Sequence, residues 1–298
     1  MTRRFRRGIF LIFVVFFIIT SVATVFFAQG YILDFNSLKF VKTGGIFIKT
    51  STDSVKIYLD DKYIETTGGI LTHSALVSGL APKTYSIFVY KENYYPWNKT
   101  VEVKSGMVVG LNNITLFPLE LKKLKVVELS LQTISEFSVV NDTVEIKNNK
   151  TKIVNAYNLA DGKLLSSKKF IIATSTTEFI SPDKDKKIYI SDNQLWIVYL
   201  NDAKEEPFKK AGEKELLADY ETPIDFFGWL NDSEHIIWFA DSELNIAELD
   251  NRGGKRNSIK FYLNISAPVF WDRGNSTFYF FDKTSQKAVL YKIDLKTQ

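Results

Sequence analysis

The sequence predicts an all-β protein behind one N-terminal transmembrane helix. Three observations predict it. An uncharged run fills Gly8 to Gly30, apolar residues alternate with period two from Gly45 onward, and strand–turn–strand segments recur along the C-terminal part.

The N-terminal element comes first. Arg3, Arg4, Arg6 and Arg7 precede an apolar stretch from Ile9 to Ala28, 20 residues without a charge. At 1.5 Å per residue this run covers about 30 Å, the thickness of a bilayer hydrocarbon core. The arginines are topology determinants: they hold residues 1–8 on the cytoplasmic side and send the rest of a single-pass cell-membrane protein outward. A cleavable signal peptide is the competing reading, with Ser21 to Ala23 as a small-residue cleavage site. The apolar stretch outruns the usual 7–15 residues of such a peptide, which favours an uncleaved anchor.

Composition bounds the remainder. The net charge of +4 is the N-terminal arginine cluster, because residues 1–28 contain no Asp or Glu and residues 29–298 are balanced. A balanced exported part lacks the basic footprint of a nucleic-acid binder. With no cysteine and two histidines, His73 and His235, the chain offers no disulfides, no thiol nucleophile and little for a metal. The abundance of Lys, Asn, Ile, Phe and Tyr is the composition expected of an AT-rich bacterial genome.

Residues 29–44 read as a juxtamembrane linker, with Asp34, Lys39 and Lys42 near the headgroups. Residues 45–118 read as a small β-sandwich. Ile46 and Ile48, Val55, Ile57 and Leu59, and Val101 and Val103 alternate with polar or half-polar neighbours. Asp60-Asp61, Gly68-Gly69, Ala81-Pro82 and Ser105-Gly106 supply turns. Tyr85, Ile87 and Val89 share one strand face. The aromatic run Tyr94-Tyr95-Pro96-Trp97 has two readings: sandwich core and strand edge, or a stacking surface for a glycan or protein partner carried by Tyr95 and Trp97.

The stretches "GGIFIKTSTDSVKIYLDDK", "LVSGLAPKTYSIFVYKENYYPWNKTVEVKSG" and "NNITLFP" together resemble a PEGA domain. Tyr58-Leu59-Asp60-Asp61 corresponds to that family's first turn with Asp61 in place of glycine. Leu80 to Tyr85 corresponds to the second with Lys83 in place of glycine, and Asn93-Tyr94 replaces Gly-Tyr. Asn and Asp tolerate the left-handed backbone that glycine supplies, whereas Lys83 is expected to change its turn. The resemblance implies an exported β-module without enzymatic activity, with a role in adhesion or envelope structure.

Residues 119–298 repeat. "FSVVNDTVEI", "FISPDKDKKIYIS", "FFGWLNDSEHIIWFA" and "VFWDRGNSTFYFF" each pair two apolar strands across a polar turn, and each is followed by a third strand. Phe137, Phe179, Phe227 and Phe270 lead the units at spacings of 42, 48 and 43 residues. This is the period of a β-propeller blade. "SPDKDKKIYIS" is similar to the turn of TolB-like and WD40-like propeller repeats, with Lys184 where those favour glycine. About four units leave three outcomes: a closed ring, an open or partial arc whose end strands pair with another chain as in a homo-oligomer, or a shortened relative of a longer propeller.

No catalytic constellation emerges. Asp183 and Asp185 lack the 6–8 oxygen ligands of a calcium site and read as turn residues. Asp232, Glu234 and His235 share one blade turn, where His235 reads as a strand cap. There is no Gly-x-Ser-x-Gly elbow and no phosphate loop. Asn-x-Ser/Thr triplets at Asn98, Asn113, Asn141, Asn149, Asn231, Asn264 and Asn275 matter only where glycosylation machinery exists. The expected function is a membrane-anchored extracytoplasmic binding or scaffold module that meets an envelope protein or cell-wall glycan, without catalysis, cofactor, metal or nucleic acid. The alternative is a propeller-type hydrolase or lyase acting on envelope glycan or peptide. No catalytic domain is expected after the repeats.

Overall fold

The computed structural model describes residues 3–34, 39–67, 73–130, 134–169, 178–263, 265, 268–284 and 287–295. The predicted turn at Gly68-Gly69 and the triplet at Asn264 lie outside them. Two compact units divide the chain: Met1–Phe88 with Thr100–Ile114, and Val89–Lys99 with Thr115–Gln298.

The first unit opens with helix α1 (Arg3–Ala28). It starts at Arg3 rather than Ile9, because arginine is a good helix former and the helix continues past its apolar part. The stretch long and apolar enough to cross a membrane is Phe5–Ala28, and none of it is buried by protein. Phe10 and Phe17 are each 70% exposed. Gly30 ends the helix at φ 80°, a left-handed conformation that glycine adopts without a Cβ penalty.

The predicted linker is itself structured. Strands β1 (Tyr31–Asp34) and β2 (Lys39–Lys42) pair as an antiparallel hairpin. Thr43 ties it to the helix end, donating from its backbone N–H and from Oγ1 to the Gly30 carbonyl at 2.7 and 2.9 Å.

The sandwich comes next as β3 (Gly44–Thr50), β4 (Lys56–Leu59), β5 (Lys62–Thr66), β6 (Ser74–Leu80), β7 (Thr84–Tyr90), β8 (Trp97–Glu102) and β9 (Val108–Ile114). One sheet has the order β6-β3-β9 and the other β5-β4-β7-β8. The predicted inward set is buried: Ile46, Ile48, Val55, Ile57 and Ile87 have no exposure. Gly44 is demanded by close packing, since a Cβ there would sit 2.5 Å from Val103 Cγ1 and 2.6 Å from the Lys104 carbonyl oxygen. The substituted turns behave as their chemistry dictates. Asp60 and Asp61 take φ 46° and 64°, and Asn93 takes 65°. Lys83 avoids that region; it turns outward to Asp60 Oδ2 at 2.7 Å, while Asp60 Oδ1 accepts from Ser86 N–H.

The second unit holds four four-stranded sheets. Strand β10 (Leu124–Leu129) precedes them. Blade one is β11 (Glu136–Val140), β12 (Thr143–Asn148), β13 (Ile153–Asn158) and β14 (Leu164–Lys169). Blade two is β15 (Glu178–Ile180), β16 (Lys186–Ser191), β17 (Gln194–Tyr199) and β18 (Lys214–Asp219). Blade three is β19 (Phe226–Trp229), β20 (His235–Ala240), β21 (Glu243–Glu248) and β22 (Ser258–Tyr262). Blade four takes β23 (Val269–Asp272), β24 (Thr277–Thr284) and β25 (Lys287–Asp294), and its outer strand is β10, with Leu129 opposite Ala288. The two ends of the propeller region are thus joined in one sheet.

Each repeat therefore has a fourth strand that the sequence pattern does not reveal. Strand β14 is mostly exposed and β18 and β22 largely so, hence they carry no clean apolar alternation. The four leading phenylalanines stand second in β11, β15, β19 and β23. Phe137 meets Phe270 at 6.1 Å and Phe179 meets Phe227 at 5.1 Å between ring centres. Indoles link further blades: Trp229 Nε1 donates to the Phe179 carbonyl and Trp271 Nε1 to the Trp229 carbonyl, both at 2.9 Å. Apolar cores join blade two to three, three to four and four to one. Among the described residues no such core joins blade one to blade two. The fold is all-β and propeller-type, with four blades whose described apolar cores join blades two, three, four and one.

Candidate interaction site

The aromatic run Tyr94 to Trp97 leads into β8. Tyr94 bridges to Pro118, and Tyr95 N–H donates to the Phe117 carbonyl at 2.8 Å. Tyr95 is half-buried and meets Phe261 edge-on at 5.6 Å. Trp97 is only 4% exposed, and its Nε1 donates to Glu248 Oε2 at 2.8 Å. The structure thus puts Trp97 inside rather than on a stacking surface: alternation set it on the buried face of β8, and Glu248 satisfies its one polar atom.

Glu248, at the end of β21, organises what surrounds it. Its Oε1 accepts from Lys99 Nζ, from Asn257 N–H and from Asn257 Nδ2. Lys99 has no side-chain exposure and also reaches the Asp250 carbonyl at 2.5 Å. A buried ion pair needs this full set of partners, since each unpaired charge would carry a large desolvation penalty.

His235 caps the start of β20, as its position in the turn predicted. Its Nδ1 lies 2.6 Å from Asp232 Oδ2, and its ring meets Phe117 edge-on. Burial alone would push the imidazole's pKa down, but the Asp232 carboxylate, with Glu248 and Glu234 further off, holds it above its ordinary value. Asp232 is correspondingly held below the usual carboxylate range by His235 and two backbone N–H groups, against the opposing effect of burial.

Tyr95, Trp97, His235, Glu248 and Asn257 line a cavity of about 30 Å³. A water molecule fits there. The turn of blade two is built from its own hydrogen bonds. Lys184 takes φ 66°, the glycine-like conformation its position demands. Asp183 accepts from Ser181 Oγ, from Asp185 N–H and from Lys186 Nζ, so its oxygens serve the turn. Among the described residues no group of three or more His, Asp or Glu could hold a metal ion.

A larger surface lies on blade two. Ile188, Leu195, Ile197 and Tyr199 pack towards blade three. The opposite face carries Ile180 at 54% exposure, Leu216 at 39%, and half-buried Tyr189, Trp196 and Val198. Tyr189 pairs with Trp196 and Trp196 with Leu216, so they form one cross-strand row with Glu178 at its edge. No expectation from the sequence covers this row, although its signal is present. In "KKIYIS" and "QLWIVY" the residues between the core positions are aromatic and aliphatic rather than charged.

Comparison with solved structures gives the Cps50 (Swd1) β-propeller domain of Myceliophteria thermophila, at 9% identity and TM-score 0.27, covering 72% of this chain and 67% of that one. Hsv2p of Kluyveromyces lactis gives 8% identity and TM-score 0.25, covering 78% and 69%. An acylaminoacyl peptidase of Pyrococcus horikoshii gives 15% identity and TM-score 0.25, covering 54% of this chain and 30% of that one. The comparison with curated proteins gives no match. Residues 43–116, which hold strands β3 to β9, match the family model described as the PEGA domain.

Proposed function

We propose that this chain is a single-pass envelope protein whose domains lie outside the cytoplasm and act as a binding or scaffold module for an envelope protein or cell-wall glycan, without catalysis. The PEGA domain and the propeller fold support a module of this class. Helix α1 is the anchor, and Arg6 and Arg7 at its start give the orientation. The side chains of Arg3 and Arg4 lie outside the described residues.

The observation that carries the binding role is the partly exposed face of blade two. Its row of Tyr189, Trp196 and Leu216 is left partly open, whereas the corresponding strands of blade three are buried on both sides. Aromatic rings on a rigid sheet contact a partner at low entropic cost. The proposed mechanism is display: the blade supplies a fixed surface and no group moves chemically. A second copy of the chain meeting this face is the homo-oligomeric form of the same reading.

The test is site-specific photocrosslinking in intact cells, with the photoreactive residue at Tyr189 or Trp196 and a control at Lys150, exposed in the β12–β13 turn of blade one. Discrete adducts at Tyr189 and Trp196 that are absent at Lys150 support the reading, and their mass separates self-association from another protein. Glycan contact is read by binding of purified full-length protein to isolated cell wall, weakened by Trp196→Ala. Absence of both overturns the binding role.

A further inference from the structure

We infer that the β1–β2 hairpin at the outer end of α1 is a membrane-seated collar, whose aromatic face lies in the lipid headgroup region. This rests on reading α1 as a membrane span, and it adds a second lipid contact outside that helix.

The hairpin's pairing sets which side chains share a face. Tyr31 stands opposite Lys42 and Leu33 opposite Phe40, so Tyr31, Leu33, Phe40 and Lys42 lie together. Phe40 is 55% exposed and Leu33 38%. Two exposed apolar side chains on a four-residue strand pair would be a poor choice in water. They are not isolated. Phe26, in the last turns of α1, stacks on Phe40 at 5.1 Å between ring centres and meets Tyr31 edge-on at 5.7 Å. The apolar surface of the helix therefore runs without a break onto one face of the hairpin.

That face has the chemistry of the membrane–water boundary. Tyrosine and other amphipathic rings concentrate there, and lysines extend their charged ends towards phosphate while their stems stay apolar. Lys42 shares this face with Phe40 and is exposed, and exposed Lys39 extends from the other face beside it. The partner is a phospholipid surface, identified by continuity with the helix and by this aromatic–cationic pairing.

The hairpin is also held in place. Gly30 and Thr43 close its base, Gly106 N–H donates to the Thr43 carbonyl at 3.1 Å, and Ser105 Oγ donates to the Lys42 carbonyl at 3.1 Å. A flexible tail could sample the interface by chance. A hairpin clamped at both its helix side and the β8–β9 turn is fixed at one height relative to the end of α1.

The absence of cysteine in the chain makes the test direct. Single variants Phe40→Cys, Val22→Cys and Tyr63→Cys of the full-length protein carry a nitroxide label in vesicles of phosphatidylcholine with phosphatidylglycerol. Collision with molecular oxygen and with a water-soluble nickel chelate reports depth. Nickel collision at position 40 is expected to be at least about threefold lower than at position 63, and higher than at position 22. Equal nickel access at positions 40 and 63, with position 22 shielded, overturns the collar and leaves the span intact. Free nickel access at position 22 overturns both. Because a label on Phe40 replaces one of the rings in question, Lys42→Cys, on the same face, serves as a second reporter and must show the same ordering.

Discussion

Blade three and blade two have the same four-stranded plan, yet their central strands live in different surroundings. Every residue of β20 is buried, with Ile236, Trp238 and Ala240 facing blade two and Ile237 and Phe239 facing blade four. In β17 burial alternates, and only Leu195, Ile197 and Tyr199 are covered. A strand packed on both faces reads as a continuous apolar run, and one packed on a single face reads as an alternation. "HIIWFA" and "QLWIVY" are therefore records of neighbours as much as of strands. The pattern in β24 agrees: Phe278 and Phe280 face blade three while Phe281 faces blade one.

Truncation tests this contrast most severely. Phe239→Ala is expected to cost about 4 kcal/mol, because it opens a cavity in a core flanked by two blades. Urea unfolding of the detergent-solubilised full chain measures it. Lys99→Met ranks second at about 3 kcal/mol, since it strands the Glu248 carboxylate without its ammonium partner. Adding Glu248→Gln, which removes the charge but keeps an oxygen acceptor for Trp97 and Asn257, is expected to recover part of that loss, which distinguishes an orphaned charge from lost packing.

A smaller effect comes from the His235–Asp232 pair. The imidazole's folded pKa is raised, so its contribution is complete below about pH 6.5 and fades as pH rises through the folded value. Asp232's folded pKa is depressed, so its contribution is present above the carboxylate range and fades as pH falls through its folded value. Asp232→Asn should flatten both limbs of a plot of urea midpoint against pH. An unchanged profile would mean that other groups set the pH dependence.

The smallest change is expected at Trp196→Ala, under about 1 kcal/mol, because no described core covers that face. A loss comparable to that of Phe239→Ala would show that blade two is packed on both faces in solution, and the contrast between the blades would disappear. Together these substitutions map which blade faces are sealed.

Much of the architecture could be read from residues alone. The two-residue turn at Asp60-Asp61, the inward row Tyr85, Ile87 and Val89, and the leading phenylalanines of the blades all carry local signals of side-chain period and turn chemistry. The β1–β2 hairpin and the outer blade strands did not, because exposed strands of mixed polarity look like loops. The environment of Trp97 was also hidden. Period two put it on the same side as Tyr95, but which side faces protein depends on Glu248, a residue 151 positions away.

The apolar helix, the alternating strands and the turns that tolerate left-handed backbone have local causes, so the order of residues is enough to dictate them. Long-range packing settled the rest: β10 completes the last blade, Lys99 meets Glu248, and Tyr189 and Trp196 on blade two stay half-buried. Those outcomes depend on pairings between distant segments, and no short stretch of residues encodes what will pack against it.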